Sequence, residues 1–207
     1  MMVVITLIDN ASDSAIATWL HGRLVKALDR TSGGIAITVP GGSTPFPILA
    51  ALARADLDFS RIEVWPGDDR IVAENHAASN VGRIRSLLGP VGARIVPLIE
   101  RAVPPHFALV WLGMGDDGHI ASLFPSSDPH ANDPVLVRRL TPDPLPPEAP
   151  FDRISLTIPA LVDCDELLLV LRGPDKRAIF EAAARRANDL PIARLLDAAR
   201  APVTCFT

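Results

Sequence analysis

The sequence predicts an α/β fold: a mostly parallel sheet flanked by helices on both faces. Short apolar, β-rich runs alternate with longer helical patterns along the chain. Several of these runs are apolar at nearly every position, as a strand covered on both faces requires. Three of them lead straight into polar, glycine-containing loops. The segment 126–150 breaks the alternation; it is rich in Pro and Asp and reads as a long loop carrying a small β-containing flap.

In chain order, residues 3–7 form the first strand, ended by Asp9 and Asn10. Residues 12–29 are helical, with Ile16, Leu20, Leu24 and Leu28 four apart on one face. The near-continuous apolar run 35–39 is a buried strand. A helix over 45–53 opens on Pro45, and 62–65 is the next strand. Residues 79–88 form a helix that Ser79 can cap through its hydroxyl. The run 107–112 is another buried strand, and 135–140 supplies the β pieces of the flap. Strands follow at 154–158 and 167–171, and the last of these feeds a helix beginning at Pro174, a residue suited to a first helical position. No internal repeat is visible.

Composition narrows the partners. The chain has 207 residues, 48% of them hydrophobic, which is ample for a buried core. Lys and Arg number 20 against 24 Asp and Glu, a formal charge of −4, and no basic block stands out. Nucleic acid is therefore not the expected partner, since it needs clustered cations. An anionic ligand has to be held by a local site against the global field. Cys164 and Cys205 fit no metal-ligand spacing and make no disulfide framework, which points to a reducing compartment. The apolar start has no basic flank and is too short for a signal peptide, and no stretch is long enough to span a bilayer. The expectation is a soluble, cytoplasmic protein of one domain over 1–207, without a membrane partner.

The three loops carry the chemistry. Ligands of open α/β sheets sit at the carboxyl ends of strands, so polar loops at equivalent strand ends converge on one crevice. Gly41, Gly42, Ser43 and Thr44 lie between a strand and a helix start; small residues, hydroxyls and unpaired N–H groups there suit a phosphate, although a tight turn with an ordinary cap has the same composition. In Asp68-Asp69-Arg70 the guanidinium can grip a phosphate with two parallel hydrogen bonds, or form a local salt bridge. The sharpest signal is the stretch Gly113–His119, containing Gly115, Asp116 and Asp117. An imidazole with an ordinary pKa of about 6.5 can take a proton from water, and a carboxylate two residues earlier can hold the ring. Exposed N–H groups of this loop can serve an oxyanion. Lys176, in a first helical turn, opposes the helix dipole unless an anion compensates. Arg153, beside a strand, is a further anion ligand or an edge charge. His21, His76, His106 and His130 lack comparable settings. No His pair has zinc-like spacing with a third ligand, so neither a metal nor a cofactor is expected, and no G-x-S-x-G elbow offers a serine nucleophile.

Five stretches together resemble the 6-phosphogluconolactonases of the oxidative pentose phosphate pathway: VPGGSTP (39–45), WPGDDRIV (65–72) with SN at 79–80, LGMGDDGHIASLFP (112–125), RISLTIPAL (153–161) and LLLVLRGPDKRAIFEAA (167–183). The resemblance implies a fold shared with the glucosamine-6-phosphate deaminases and hydrolysis of 6-phospho-D-glucono-1,5-lactone to 6-phosphogluconate. It implies His119 as the base and Asp117 as its neighbouring acid. Ser43, Thr44, Arg70 and Lys176 match positions facing the substrate, chiefly its phosphate. Two departures stand out: the family usually has Glu where this chain has Asp69, and it commonly continues past the APVTCFT stretch. A deaminase on the same fold is the nearest rival, disfavoured by Ala121-Ser122-Leu123-Phe124-Pro125 after the shared Gly-His-Ile. A sugar-phosphate sensor is the rival from another class, disfavoured because the chain opens directly on a strand.

Overall fold

The computed structural model describes residues 3–147 and 149–207. Its seven-stranded parallel sheet comprises β1 (Ile5–Ile8), β2 (Ile35–Val39), β3 (Ile62–Pro66), β5 (Arg94–Ile95), β6 (Leu109–Leu112), β9 (Leu167–Val170) and β10 (Val203–Phe206), in the order β1-β10-β9-β6-β2-β3-β5. A three-stranded antiparallel sheet, β4-β8-β7, joins β4 (Asp68–Arg70), β8 (Arg153–Leu156) and β7 (Val137–Leu140). The helices are α1 (Asp13–Asp29), α2 (Pro45–Leu52), α3 (Asn80–Leu88), α4 (Ile158–Val162), α5 (Pro174–Ala184) and α6 (Pro191–Ala198).

Alternation along the strands divides the core in two, because successive side chains leave a strand on opposite faces. Leu109, Trp111, Leu168 and Val170 pack with Ile16, Leu20 and Leu24 of α1 and with Ile48 and Leu49 of α2. Val110, Leu112, Leu167 and Leu169 pack on the other face with Leu161 of α4, Phe180 of α5 and Ile192 of α6. Both faces being covered explains why these strands read as unbroken apolar runs. The predicted face of α1 is the buried one, and Ser12 caps it, its hydroxyl accepting from the Ala15 N–H. Ser79 caps α3 in the same way through Gly82, a bond of the kind that contributes about 1 kcal/mol.

Several expectations needed adjusting. The first strand is displaced to Ile5–Ile8, where its register with Val203–Phe206 is set. Asp68–Arg70, expected as a turn, is a strand because it pairs with Ser155, Ile154 and Arg153 of β8. The flap pieces are also part of this second sheet, β7 pairing with the whole of β8. The stretch APVTCFT is no loose end: β10 lies between β1 and β9 with all four residues buried.

Strand order fixes where a ligand can sit. From β2 the chain steps outward to β3 and β5, then returns to β2's other side at β6 and proceeds to β9 and β10. The crevice at this reversal lies past the carboxyl ends of β2 and β6, the strands that lead into 40–44 and 113–119.

Candidate functional site

A cleft of about 400 Å³ opens at that reversal. It is lined by Gly41, Gly42, Ser43 and Thr44 after β2, by Asp68 and Arg70 of β4, by Gly115 and His119 after β6, by Arg153 of β8, and by Lys176 of α5. Asp117 stands behind His119 and reaches the cleft through it. The sequence-predicted residues thus come together from five elements.

The His119 loop is rigidly folded. Met114 and Ile120 bridge across it, and the Gly115 N–H donates to the His119 carbonyl at 2.9 Å. Asp117 Oδ1 accepts from His119 Nδ1 at 2.6 Å and from the His119 backbone N–H at 3.1 Å. With Nδ1–H given to Asp117, the lone pair of the neutral ring is on Nε2, which bonds no protein group among the described residues. Burial pushes the Asp117 carboxyl up, but the His119 backbone N–H, the charge of its ring and the ring hydrogen bond together hold it below the ordinary carboxylate value. Phe124 lies against the imidazole, with centroids 4.7 Å apart. Gly115 is required underneath: a Cβ there would overlap the His119 ring and crowd Asp117.

In this loop the N–H groups of Gly115, Gly118 and His119 are committed to the His119 carbonyl, the Gly115 carbonyl and Asp117, while those of Gly113, Met114 and Asp116 donate to no protein acceptor among the described residues. The backbone N–H groups of the 41–44 turn likewise donate to none. The Thr44 side chain makes no capping bond at the start of α2.

Two arginines stand side by side on the second sheet, Arg70 being in register with Arg153. Arg70 Nη1 donates to the Ala78 carbonyl and to Asn80 Oδ1, both at 3.1 Å, while its buried Nε has no partner. Arg153 is 3% exposed, so it is no edge charge; its Nη1 and Nη2 donate to the carbonyls of Phe151 and Ala149 at 2.5 and 2.8 Å. Every side-chain partner of the pair among the described residues is neutral. Burial and the Arg70 charge both press the Arg153 guanidinium toward losing its proton. A desolvated cation pair of this kind favours an anion between or beside its members. Lys176 adds a third cation, its Nζ 3.7 Å from exposed Asp116. The cleft is thus locally cationic in an acidic protein.

The family model described as glucosamine-6-phosphate isomerases/6-phosphogluconolactonase matches residues 10–102 and 91–204. The chain belongs to that family. Curated relatives named 6-phosphogluconolactonase include those of Pseudomonas aeruginosa, 35% identical over 91% of this chain and 87% of its own length, and of Neisseria meningitidis, 31% identical over 91% and 92%. Crystal structures of a 6-phosphogluconolactonase from Shewanella baltica (24% identity, TM-score 0.81, covering 99% of this chain and 97% of that one) and of one from Thermotoga maritima (22%, 0.81, 98% of each) share the fold.

Within the glucosamine-6-phosphate isomerase/6-phosphogluconolactonase fold, the Asp69 departure lies off the cleft. Its Oδ1 accepts from the backbone N–H of Arg70 and of Asn80, at 2.8 and 2.6 Å, and its Oδ2 from that of Val81 at 3.0 Å. Asp69 therefore ties the first turn of α3 to β4, and burial raises its carboxyl against those three donors. Four cleft residues were not singled out as individual ligands in the sequence: Asn80, Ser122, Phe124 and Arg172. The Ser122 hydroxyl donates to Asp68 Oδ2, and Arg172 pairs with Asp13 at 2.7 Å. All four lie inside the matching stretches, which was the available signal. His106 was passed over as well, yet it bonds Asp163 at 2.7 Å through Nδ1 and Asp165 at 3.1 Å through Nε2.

Proposed function

We propose that the chain hydrolyses 6-phospho-D-glucono-1,5-lactone to 6-phosphogluconate, the lactonase step of the oxidative pentose phosphate pathway, with His119 as general base and without a metal. The carrying observation is the Asp117–His119 pair, whose unbonded Nε2 belongs to a residue lining a cationic cleft. The relatives' shared name supports the substrate. No group of three or more His, Cys, Asp or Glu among the described residues is placed to hold a metal.

The substrate phosphate is held by Arg70, Arg153 and Lys176 together with the N–H groups and hydroxyls of Gly41, Gly42, Ser43 and Thr44. Asp68 accepts from a sugar hydroxyl with the lone pairs that Ser122 and Asn80 leave unused. Remote binding of the phosphate sets the lactone carbonyl beside His119. Nε2 removes a proton from water as its oxygen attacks the carbonyl carbon, giving a tetrahedral oxyanion. Backbone N–H groups of the 113–119 loop that have no protein acceptor among the described residues stabilise that charge. The carbonyl re-forms, the bond to the ring oxygen breaks, and the imidazolium returns its proton to that oxygen. Asp117 keeps the ring in the productive tautomer throughout.

The test is hydrolysis of freshly generated lactone, corrected for spontaneous opening, by the wild type and by His119→Ala. The variant is expected to lose about 10²–10⁴-fold in kcat with its fold intact. The wild-type rate is expected to fall at low pH, as catalysis by a general base requires. An active His119→Ala would keep the activity and remove the mechanism.

A further inference from the structure

Asn80 stands where the two anion-holding parts of the cleft meet. It is 1% exposed, and its backbone N–H is bound by Asp69 Oδ1 at 2.6 Å. Its side-chain Oδ1 accepts from Arg70 Nη1 at 3.1 Å. Its Nδ2 donates to the Asp68 carbonyl at 2.9 Å and lies 3.4 Å from Asp68 Oδ1. The same amide occupies the space a Cβ on Gly41 would take, so the 41–42 turn rests directly on it. One buried carboxamide thus touches the turn after β2, the backbone of β4 and the guanidinium of Arg70.

The start of α3 does not need this side chain. Asp69 holds the first N–H groups of the helix, and the Ser79 hydroxyl accepts from Gly82. Nor does Arg70 have partners to spare: with Nε unpartnered, Asn80 is one of only two groups seen to orient its guanidinium among the described residues. A planar amide with donor and acceptor both engaged has one orientation, and it passes that orientation on to what it bonds.

We propose that Asn80 is a positioning residue for phosphate recognition, aligning the Arg70 guanidinium with the 41–42 turn so that both meet one anion. The proposal rests on the assignment of Arg70 to the substrate phosphate. Losing the amide leaves the reacting groups of Asp117 and His119 in place, so the effect falls on binding and not on the chemical step.

The test is a double-mutant cycle of Asn80→Ala and Arg70→Ala, reading KM and kcat for lactone hydrolysis and competitive inhibition by inorganic phosphate. Asn80→Ala alone is expected to raise KM and the phosphate inhibition constant about tenfold, with kcat within about threefold of wild type. On an Arg70→Ala background it is expected to add less than about twofold, as residues acting through one another do. Effects that multiply, or an Asn80→Ala KM within about twofold of wild type, overturn the proposal. If Arg70→Ala itself leaves KM and phosphate inhibition unchanged, the phosphate assignment fails and Asn80 falls with it; if Arg70→Ala raises both and Asn80→Ala does not, only Asn80 falls. Should the alanine variant not fold, Asn80→Ser takes its place in the same cycle with the same expectations.

Discussion

Strand β6 has a histidine–carboxylate contact at each end. Before it, His106 is held by Asp163 and Asp165; after it, His119 is held by Asp117. Each borders a cleft of similar size, about 410 Å³ beside His106 and about 400 Å³ beside His119. Volume and residue type therefore do not separate the two ends of the sheet. What separates them is unsatisfied chemistry. Both ring nitrogens of His106 are engaged, and its side chain is 53% exposed. His119 keeps one nitrogen unbonded and faces Arg70, Arg153 and Lys176, two of which have only neutral partners among the described residues. A His–Asp pair becomes a candidate base when its second nitrogen is open and something nearby can hold the substrate.

The sharpest way to break this contrast is Asp117→Asn. If Asp117 sets the tautomer of His119, kcat is expected to fall about 10³–10⁴-fold with little change in KM, read by steady-state kinetics. A near-wild-type rate would put the two histidine pairs on the same footing. Gly115→Ala comes next, since the added methyl displaces the imidazole that Gly115 lets approach. A shift of about 1 Å at a reacting group costs on the order of a hundredfold, so kcat is expected to drop by that amount while the melting temperature moves little.

The smallest effect belongs to His106→Ala. Kinetics are expected to match wild type, because nothing at that end of the sheet reaches the cleft. The Asp163 hydrogen bond, opposed by burial and helped by Asp165, raises the His106 pKa above 6.5. A raised folded-state pKa stabilises the protein below the unfolded value, and this contribution is lost as pH rises through the folded value. The variant is thus expected to melt lower than wild type near pH 6 and alike near pH 9. The pair is solvent-screened and worth about 1 kcal/mol or less, or a few degrees in Tm. A difference that grew with pH would contradict the assignment.

The same contrast shows what could be read from sequence. Residues 35–39 and the apolar face of 12–29 were legible because period and burial are written locally, in Ile35–Val39 and in the spacing of Ile16, Leu20, Leu24 and Leu28. Asp68–Arg70 was not legible as a strand, since three polar residues carry no alternating signal and only pairing with β8 makes them one. The short β5, α4 and α6 were missed as well, and α6 buttresses the site, its Ile192 N–H donating to the Gly118 carbonyl. In the site, Asp117 and His119 are two residues apart and could be read as a pair. The His106 clasp joins partners 57 and 59 residues away, and the Asn80 junction joins β4, α3 and the turn after β2. Such contacts exist only once the strands are in register.

The place of β10 has a consequence for how the molecule assembles. Among the described residues it is the last strand in chain order, yet it sits between β1, the first, and β9. Until it inserts, β1 has no neighbour to pair with and β9 presents an open, wholly apolar edge, Leu167–Val170. Two of the seven strands, β1 and β10, are therefore placed by a pairing that joins segments nearly two hundred residues apart, a slow kind of contact to form. With β10 unpaired that apolar edge is open to other copies of the chain, so a substitution that weakens the pairing of residues 203–206 is expected to lower the yield of folded protein.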